Sequence, residues 1–255
     1  MAKKSSTSWE NVEGWYSGLV GDDGHYYHQS IILPSVLRLL NISEKSAVSV
    51  LDLGCGQGVL ARVLPKNAEY WGVDASKSLI QRARQHTKHP QAHWIVADTS
   101  ELLPVEKKDF DCAAFILSLQ NMEEPERAIQ QARRHLKKGG KLLIVLNHPC
   151  FRIPRQSSWG IDEKSQLQYR RINRYMTEMK IPIQMRPSQD SSDSVTYSFH
   201  HSLSDFFRFL QNNHFAVISM EEWCSDKTSE GAKAKMENLA RREIPLFLAI
   251  MARAE

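Results

Sequence analysis

Cysteine is scarce: the four, at 55, 112, 150 and 224, lie far apart and form no C-x-x-C pair. That spacing argues against a disulfide framework and against a thiolate zinc site, and it suits a reducing compartment. Long apolar runs are missing too. The longest, residues 245–252, falls well short of the ~20 residues that cross a bilayer, and the N-terminus lacks the apolar core of a signal peptide. A soluble, cytoplasmic chain with no membrane span is therefore expected. Neither charge dominates, with 33 Lys and Arg against 29 Asp and Glu, a net +4. Composition is otherwise ordinary for a globular protein, at 42% hydrophobic and 24% charged residues, and 255 residues suffice for one large domain or one domain with an insertion.

Two nucleotide-loop signatures are absent from a stretch that otherwise invites one. In residues 49–60, SVLDLGCGQGVL, an aliphatic run ends at Asp52, breaks into glycines at 54, 56 and 58, and resumes with helical spacing at Val59, Leu60, Val63 and Leu64. This reads as strand, tight loop and helix. Cβ atoms are missing where the backbone must turn and where a ligand can lie against free N–H groups. The dinucleotide fingerprint G-x-G-x-x-G/A needs a small residue where Val59 stands, and no Gly-Lys-Ser/Thr follows to make a phosphate loop. Asp52, two residues before the first glycine, repels a pyrophosphate and attracts a ligand that bears an ammonium and a sulfonium. S-adenosylmethionine (SAM) carries both.

On these residues the chain resembles the class I SAM-dependent methyltransferases, whose first motif has the form of Val50-Leu51-Asp52-Leu53-Gly54-Cys55-Gly56-Gln57-Gly58. Within that group it is similar to the small-molecule branch that includes the ubiquinone- and menaquinone-biosynthesis type. The resemblance implies an α/β fold with a Rossmann-like, doubly wound seven-stranded sheet, SAM as cofactor and S-adenosylhomocysteine as product.

The rest of the chain follows in a compatible order. Strands are predicted over 47–53, 69–74, 92–98, 110–117 and 141–146, and helices over 31–40, 57–64, 76–86 and from Pro125 to the basic-glycine turn at 137–140. Residues 215–223 and 246–253 read as a closing antiparallel hairpin with a charged helix, 233–242, between them. Regular alternation lapses from 152 to 198, too long a stretch for a plain loop, so it reads as an inserted lid. The expected division is a tail and helical cap over 1–46, a cofactor-binding core over 47–151, the lid over 152–198, and the remainder of the core over 199–255.

Asp74 closes the second strand 20 residues after Gly54, the offset at which an acid takes the ribose hydroxyls of a nucleotide. Ser76 is the better cap for the helix that follows. The resemblance places Asp98 by the adenine amino group with Thr99 beside it, and lays the Tyr27-His28 step over the cofactor. Further cofactor contacts are expected from Gly54, Cys55, Gly56 and Gln57, from Ala75 and Ser76, from Ser118 and Leu119, and from Tyr16 in the aromatic-rich segment 9–27.

Methyl transfer needs alignment and exclusion of water more than covalent help from the protein. An oxygen or enolic acceptor must also lose a proton, and His28, His200 and Tyr197 are the candidate bases. His200 stands where similar enzymes carry the histidine of a His-Arg-Pro-Leu step that faces the pocket, although His201 and Ser202 replace the Arg and Pro. No metal is expected, because His86, His89 and His93 fall across a helix end, a turn and a strand and share no face. Cys150 has no identifiable partner and reads as a bystander.

After the fourth strand, Ser118-Leu119-Gln120-Asn121-Met122 is neither the Asn/Asp-Pro-Pro-Tyr of base-amino methyltransferases nor the Pro-Cys of cytosine-C5 enzymes. Between Phe151 and Asp190 eight Lys/Arg face four Asp/Glu, an excess of four that equals the net charge of the whole chain. A small organic, anionic acceptor is the first expectation, with nucleic acid disfavoured. RNA or protein docking on the basic insertion, and a non-catalytic SAM-binding scaffold, remain the alternatives.

Overall fold

Alternation along the strands sets the layers of this fold. The computed structural model describes residues 9, 10, 14, 18, 21, 24–45, 47–184 and 195–255, so the expected cofactor residue Tyr16 lies outside the described residues. In chain order the strands are β1 (Ser49–Leu53), β2 (Glu69–Asp74), β3 (Ala92–Val96), β4 (Phe110–Ile116) and β5 (Leu136–Asn147). Then come β6 (Ser157–Asp162), β7 (Leu167–Ile172), β8 (Met179–Gln184), β9 (Val195–His200), β10 (Phe215–Trp223) and β11 (Phe247–Ala254). The helices are α1 (Leu33–Leu40), α2 (Val59–Val63), α3 (Lys77–His86), α4 (Pro125–His135), α5 (Leu203–Asn212) and α6 (Ala234–Glu243).

Seven strands form the central sheet in the order β3-β2-β1-β4-β5-β11-β10. The first five run parallel, and β11 is antiparallel to both of its neighbours. Every residue of β1 is buried, as a doubly covered central strand requires. Leu51 and Leu53 join the core beneath α4 and α5, with Phe115, Ile129 and Phe206. Val50 points the other way, into the core beneath α1 and α2 with Tyr70, Leu60 and Val36. This is the doubly wound, seven-stranded sheet with flanking helices that the sequence implied, with α1 ahead of β1 and the antiparallel hairpin at its end.

The differences from expectation lie at element ends. The basic-glycine turn at 137–140 is part of β5: α4 stops at His135, Leu136 already pairs with Phe110, and the register shifts before Cys112 resumes opposite Lys141. Positive φ at Gly139 absorbs the irregularity. β3 ends at Val96, two residues before Asp98. His200 ends β9. The helix begins at Leu203, where Ser202 and Asp205 exchange hydrogen bonds in a capping box. Residues 157–200 form two antiparallel ribbons, β6 with β7 and β8 with β9. Trp159, Ile161, Leu167 and Tyr169 stay exposed on the first ribbon, so no buried face marks it in the sequence.

Glycine is obligatory at two loop positions. Gly54 has φ +73°, and a Cβ there would lie 2.5 Å from the Cβ of Ser118; a Cβ on Gly58, at φ +79°, would lie 2.3 Å from the Trp94 ring. Gly139 has a similar φ, +77°, but open space around it. Gly54→Ala should therefore cost about 3 kcal/mol or more, from strain plus overpacking, and Gly139→Ala only about 1 kcal/mol. Denaturant midpoints of the two variants test this, and equal midpoints would contradict it.

Candidate active site: the glycine loop and the adjoining cavity

The loop after β1 is tied to the end of β2. Gly54 and Cys55 donate their backbone N–H groups to the Val73 carbonyl at 2.8 and 3.0 Å. Asp74, buried at the tip of β2, accepts from the Gly56 N–H (2.9 Å) through one oxygen and from the Ser76 N–H (2.8 Å) through the other. Burial raises the Asp74 pKa, the two N–H groups oppose that, and the charge of Glu10 adds to it. Each oxygen keeps a second lone pair. Ser76 caps α3 by accepting from the Leu79 N–H at 3.2 Å, which frees Asp74 from the capping role as its position suggested.

Glu10 completes this corner, and no pattern in the sequence points to it. It accepts from the Ser76 hydroxyl at 2.7 Å and from the Ser78 N–H at 3.3 Å. Gln57 holds the same N-terminal segment by donating to the Gly21 carbonyl at 2.6 Å, while its buried Oε1 has no partner.

Asp52 is buried rather than presented at the loop surface. It shares the Val50 face of β1, opposite Gly72, and accepts from the Tyr70 hydroxyl at 2.7 Å; its other oxygen is buried without a partner. Burial pushes its pKa up to about 7, with Tyr70 opposing and the charge of Asp74 adding. The Cys55 thiol is buried beside it and raised by the same cause.

The other expected cofactor residues divide into two groups. Leu117 takes a left-handed conformation, φ +54°, that turns the chain after β4. Ser118 is thereby brought against Gly54, where its hydroxyl donates to the Leu53 carbonyl at 2.7 Å, and Leu119 is fully buried. Thr99 is buried with its hydroxyl 3.2 Å from the Met122 sulfur. Asp98 is exposed and uses one oxygen to bind the Ser100 N–H and hydroxyl. Ala75 is half-buried between Asp74 and Ser76. Tyr27 shares a hydrogen bond with Ser225 (2.9 Å) and packs edge-on against Phe247. His28 is buried below Gly24, its Nδ1 has no partner, and burial lowers its pKa to about 4.

A cavity of about 30 Å³ opens at the carboxyl ends of β4 and β5, beside the Ser118 turn. Its polar wall consists of Gln120, Asn147, Arg152, Ser198, His200 and His201, and its apolar wall includes Leu146, Phe199 and Phe206. An occupant larger than a few waters needs the wall to give way. The Nε2 atom of His200 lies 2.7 Å from the Tyr175 carbonyl, which can only accept. Nε2 therefore carries the proton of the neutral ring, and the lone pair is on Nδ1. Tyr197 lies under the Lys180 ammonium, 4.9 Å from its ring centre, and does not line the cavity. Arg152, Tyr175, Gln120 and Asn147 were not singled out by sequence. Only Asn147 had a signal, its place at the carboxyl end of a central strand.

One cluster with metal-ligand spacing exists among the described residues, Glu178, His201 and Asp205. The Arg208 guanidinium already serves its acids, at 2.7 Å from Asp205 and 3.9 Å from Glu178.

Residues 51–144 match the family described as a methyltransferase domain. The chain is 35% identical over 130 residues to the 2-phytyl-1,4-naphtoquinone methyltransferase of Trichormus variabilis, covering 46% of this chain and 56% of that one. It is 36% identical over 97 residues to the ubiquinone biosynthesis O-methyltransferase of Coxiella burnetii, covering 37% and 42%. The chain spans about half the length of the curated relatives it matches. Among solved structures, an S-adenosylmethionine dependent methyltransferase from Mesorhizobium loti superposes with a TM-score of 0.68 at 24% identity, over 91% of this chain and 100% of that one. The glycopeptide N-methyltransferase MtfA complexed with sinefungin superposes with a TM-score of 0.55 at 18% identity, over 88% and 85%. The chain thus has the fold of the class I SAM-dependent methyltransferases, and its residues 51–144 are similar to a methyltransferase domain. Its curated relatives include methyltransferases named for quinones, and these similarities support SAM as the cofactor.

The site's own atoms fit that cofactor: a cradle that a Cβ at Gly54 would fill, an acid with spare lone pairs at Asp74, and an orphaned buried oxygen on Asp52. A ligand cation near Asp52 draws its pKa down from about 7, so binding releases a proton and is favoured as pH rises. SAM affinity should increase between pH 6 and 7.5, by at most about tenfold per pH unit. His28, titrating near 4, does not contribute in this window. Asp52→Asn should flatten that part of the profile in calorimetric titrations. An unchanged slope in the variant would show that Asp52 does not sense the ligand.

Proposed function

We propose that this protein transfers the methyl group of SAM to a small organic acceptor held in the cavity beside the glycine loop. The observation that carries this reading is the junction at Ser118: one short turn touches Gly54 of the loop and leads directly into Gln120 of the cavity wall. Asp52, Gly54, Cys55, Gly56, Gln57, Asp74, Ala75, Ser76, Thr99, Ser118 and Leu119 are the residues proposed to hold SAM, with Tyr27, His28 and Asp98 at its margins. When bound, SAM supplies a methyl on a positively charged sulfur, reactive without further activation.

The protein's share of the work is to position the acceptor, exclude water and take up a proton. Asn147 and Ser198 offer hydrogen bonds for orientation, and Leu146, Phe199 and Phe206 keep water from the reacting group. His200 is the base this reading favours. Its Nε2 proton is fixed on the Tyr175 carbonyl, so Nδ1 receives the proton of an acceptor hydroxyl or enol. His28 is a weaker candidate because a base of pKa about 4 holds few protons at neutral pH. Tyr197 is weaker still, since its ring is engaged with Lys180 outside the cavity.

The proposed acceptor class is anionic, because of the insertion's excess of basic residues. RNA or protein docking on that insertion is less favoured: Arg152 turns inward to the cavity, and Lys180 is paired with Glu123 at 3.1 Å. In a methyl-transfer screen over small hydroxylated and enolic acceptors, His200→Gln should lower turnover by about 10²- to 10⁴-fold while S-adenosylhomocysteine binds as before. Tyr197→Phe should stay within about twofold of the parent. Full turnover in His200→Gln would remove the proposed base, and failure of the parent to bind S-adenosylhomocysteine would remove the whole reading.

A further inference from the structure

Among the described residues Arg152 is a cation without a carboxylate partner. It follows the end of β5, partly buried, with its backbone N–H bonded to the His148 carbonyl at 2.8 Å. One terminal nitrogen donates to the Asn147 side-chain oxygen at 2.9 Å, and the guanidinium lies 5.5 Å from the centre of the Phe247 ring. No carboxylate among the described residues pairs with it. The nearest charge of consequence is like its own: Arg170, whose Nε and Nη2 donate to the Phe151 carbonyl and the Ser157 hydroxyl, each at 2.7 Å, and whose guanidinium stacks 5.1 Å from the Trp159 ring. Burial and Arg170 both weaken Arg152's hold on its proton, and only the Tyr27 hydroxyl opposes them. Arginine stays charged regardless, so among the described residues its positive charge on the cavity wall has no counter-charge.

An ion in such a place is expensive unless something pairs with it. Other basic side chains of this chain found partners: Arg38 with Glu221, Lys180 with Glu123, Arg208 with Asp205. Arg152 instead spends one of its five donors on the protein, and that bond aims it along the cavity wall shared with His200. A rigid planar fork with free donors matches a carboxylate, which takes two parallel N–H bonds. Because the Asn147 oxygen is engaged by Arg152, its amide N–H₂ remains to donate to the same anion. Once the wall gives way to admit more than a few waters, the surrounding Leu146, Phe199 and Phe206 suit a flat apolar frame.

We propose that Arg152, steadied by Asn147, is the acceptor-recognition residue of this site, and that it pairs with the carboxylate of a small planar hydroxy acid. The carboxylate is the handle, and the hydroxyl on the same frame is the group presented to His200. This rests on the reading of the cavity as the acceptor site, and it narrows the acceptor from small anions in general to carboxylic acids with a separate proton-bearing oxygen.

The test is calorimetric binding of 4-hydroxybenzoate and of its neutral counterpart 4-hydroxybenzamide to protein saturated with S-adenosylhomocysteine. The parent should bind the carboxylate about tenfold or more tightly than the amide. Arg152→Met should bring the two within about twofold, and Arg152→Lys, which keeps the charge and loses the fork, should retain only part of the preference. S-adenosylhomocysteine affinity, measured first on each protein, should be unchanged, which also shows that the variants are folded. Equal binding of acid and amide by the parent, binding of neither, or a preference that survives in Arg152→Met would each overturn the proposal. These outcomes leave the cofactor reading standing, whereas loss of S-adenosylhomocysteine binding by the parent would strike that reading instead.

Discussion

The carboxylate of Asp74 holds this site together. It grips the glycine loop through the Gly56 N–H and the start of α3 through the Ser76 N–H, so two segments 18 and 2 residues away in sequence are fixed to one strand tip. Backbone N–H groups at such turns cannot be satisfied by neighbouring strands, and leaving them bare in a buried corner costs about 1–3 kcal/mol each. The same carboxylate retains lone pairs for a diol, so the group that stabilises the loop is also suited to read a ribose. The glycines follow from this arrangement. Gly54 and Gly58 have left-handed φ, and the space their side chains would take is filled by Ser118 and Trp94.

The adjoining cavity depends on the next strand over. Leu117 bends the chain out of β4 with a positive φ, and the turn that results links the loop to Gln120. The Gln120 side-chain oxygen accepts from the Asn147 N–H at 3.2 Å, joining the ends of β4 and β5. The ribbon of β8 and β9 then supplies the opposite wall, with Ser198, Phe199 and His200. The residues proposed for cofactor and for acceptor thus meet at the carboxyl edge of a parallel sheet, where the strand ends leave a crevice. No helix among the described residues is long and apolar enough to cross a membrane.

Much of the fold was legible in the sequence because local physics and tertiary need agree there. The nearly all-apolar run of β4 reports a strand covered on both faces, and the glycines report positive φ. The 20-residue step from Gly54 to Asp74 reports one βαβ unit. What escaped notice depends on register or on distant contacts. Whether Asp52 faces a ligand or the core is set by the single-residue alternation that sends Leu51 and Leu53 to one core and Val50 to the other. Glu10 reaches Ser76 across 66 residues, and no local pattern encodes that. Arg152 looks in sequence like any of the basic residues between 151 and 190, and what separates it from them in space is that no acid among the described residues pairs with it. The ribbon of β6 and β7 escapes a sequence reading because its large apolar residues, Trp159, Ile161, Leu167 and Tyr169, stay exposed, whereas Val195–Phe199 in β9 alternates as a strand does.

The central claim is that this glycine loop and its two acids accept a positively charged sulfur nucleoside and reject diphosphates. Isothermal titration of the full chain with SAM, S-adenosylhomocysteine, NAD and ATP tests it most directly. Saturable one-to-one heats with the first two and none with the last two are the result this account predicts. Tight binding of NAD or ATP, with no heat from either sulfur nucleoside, would contradict it.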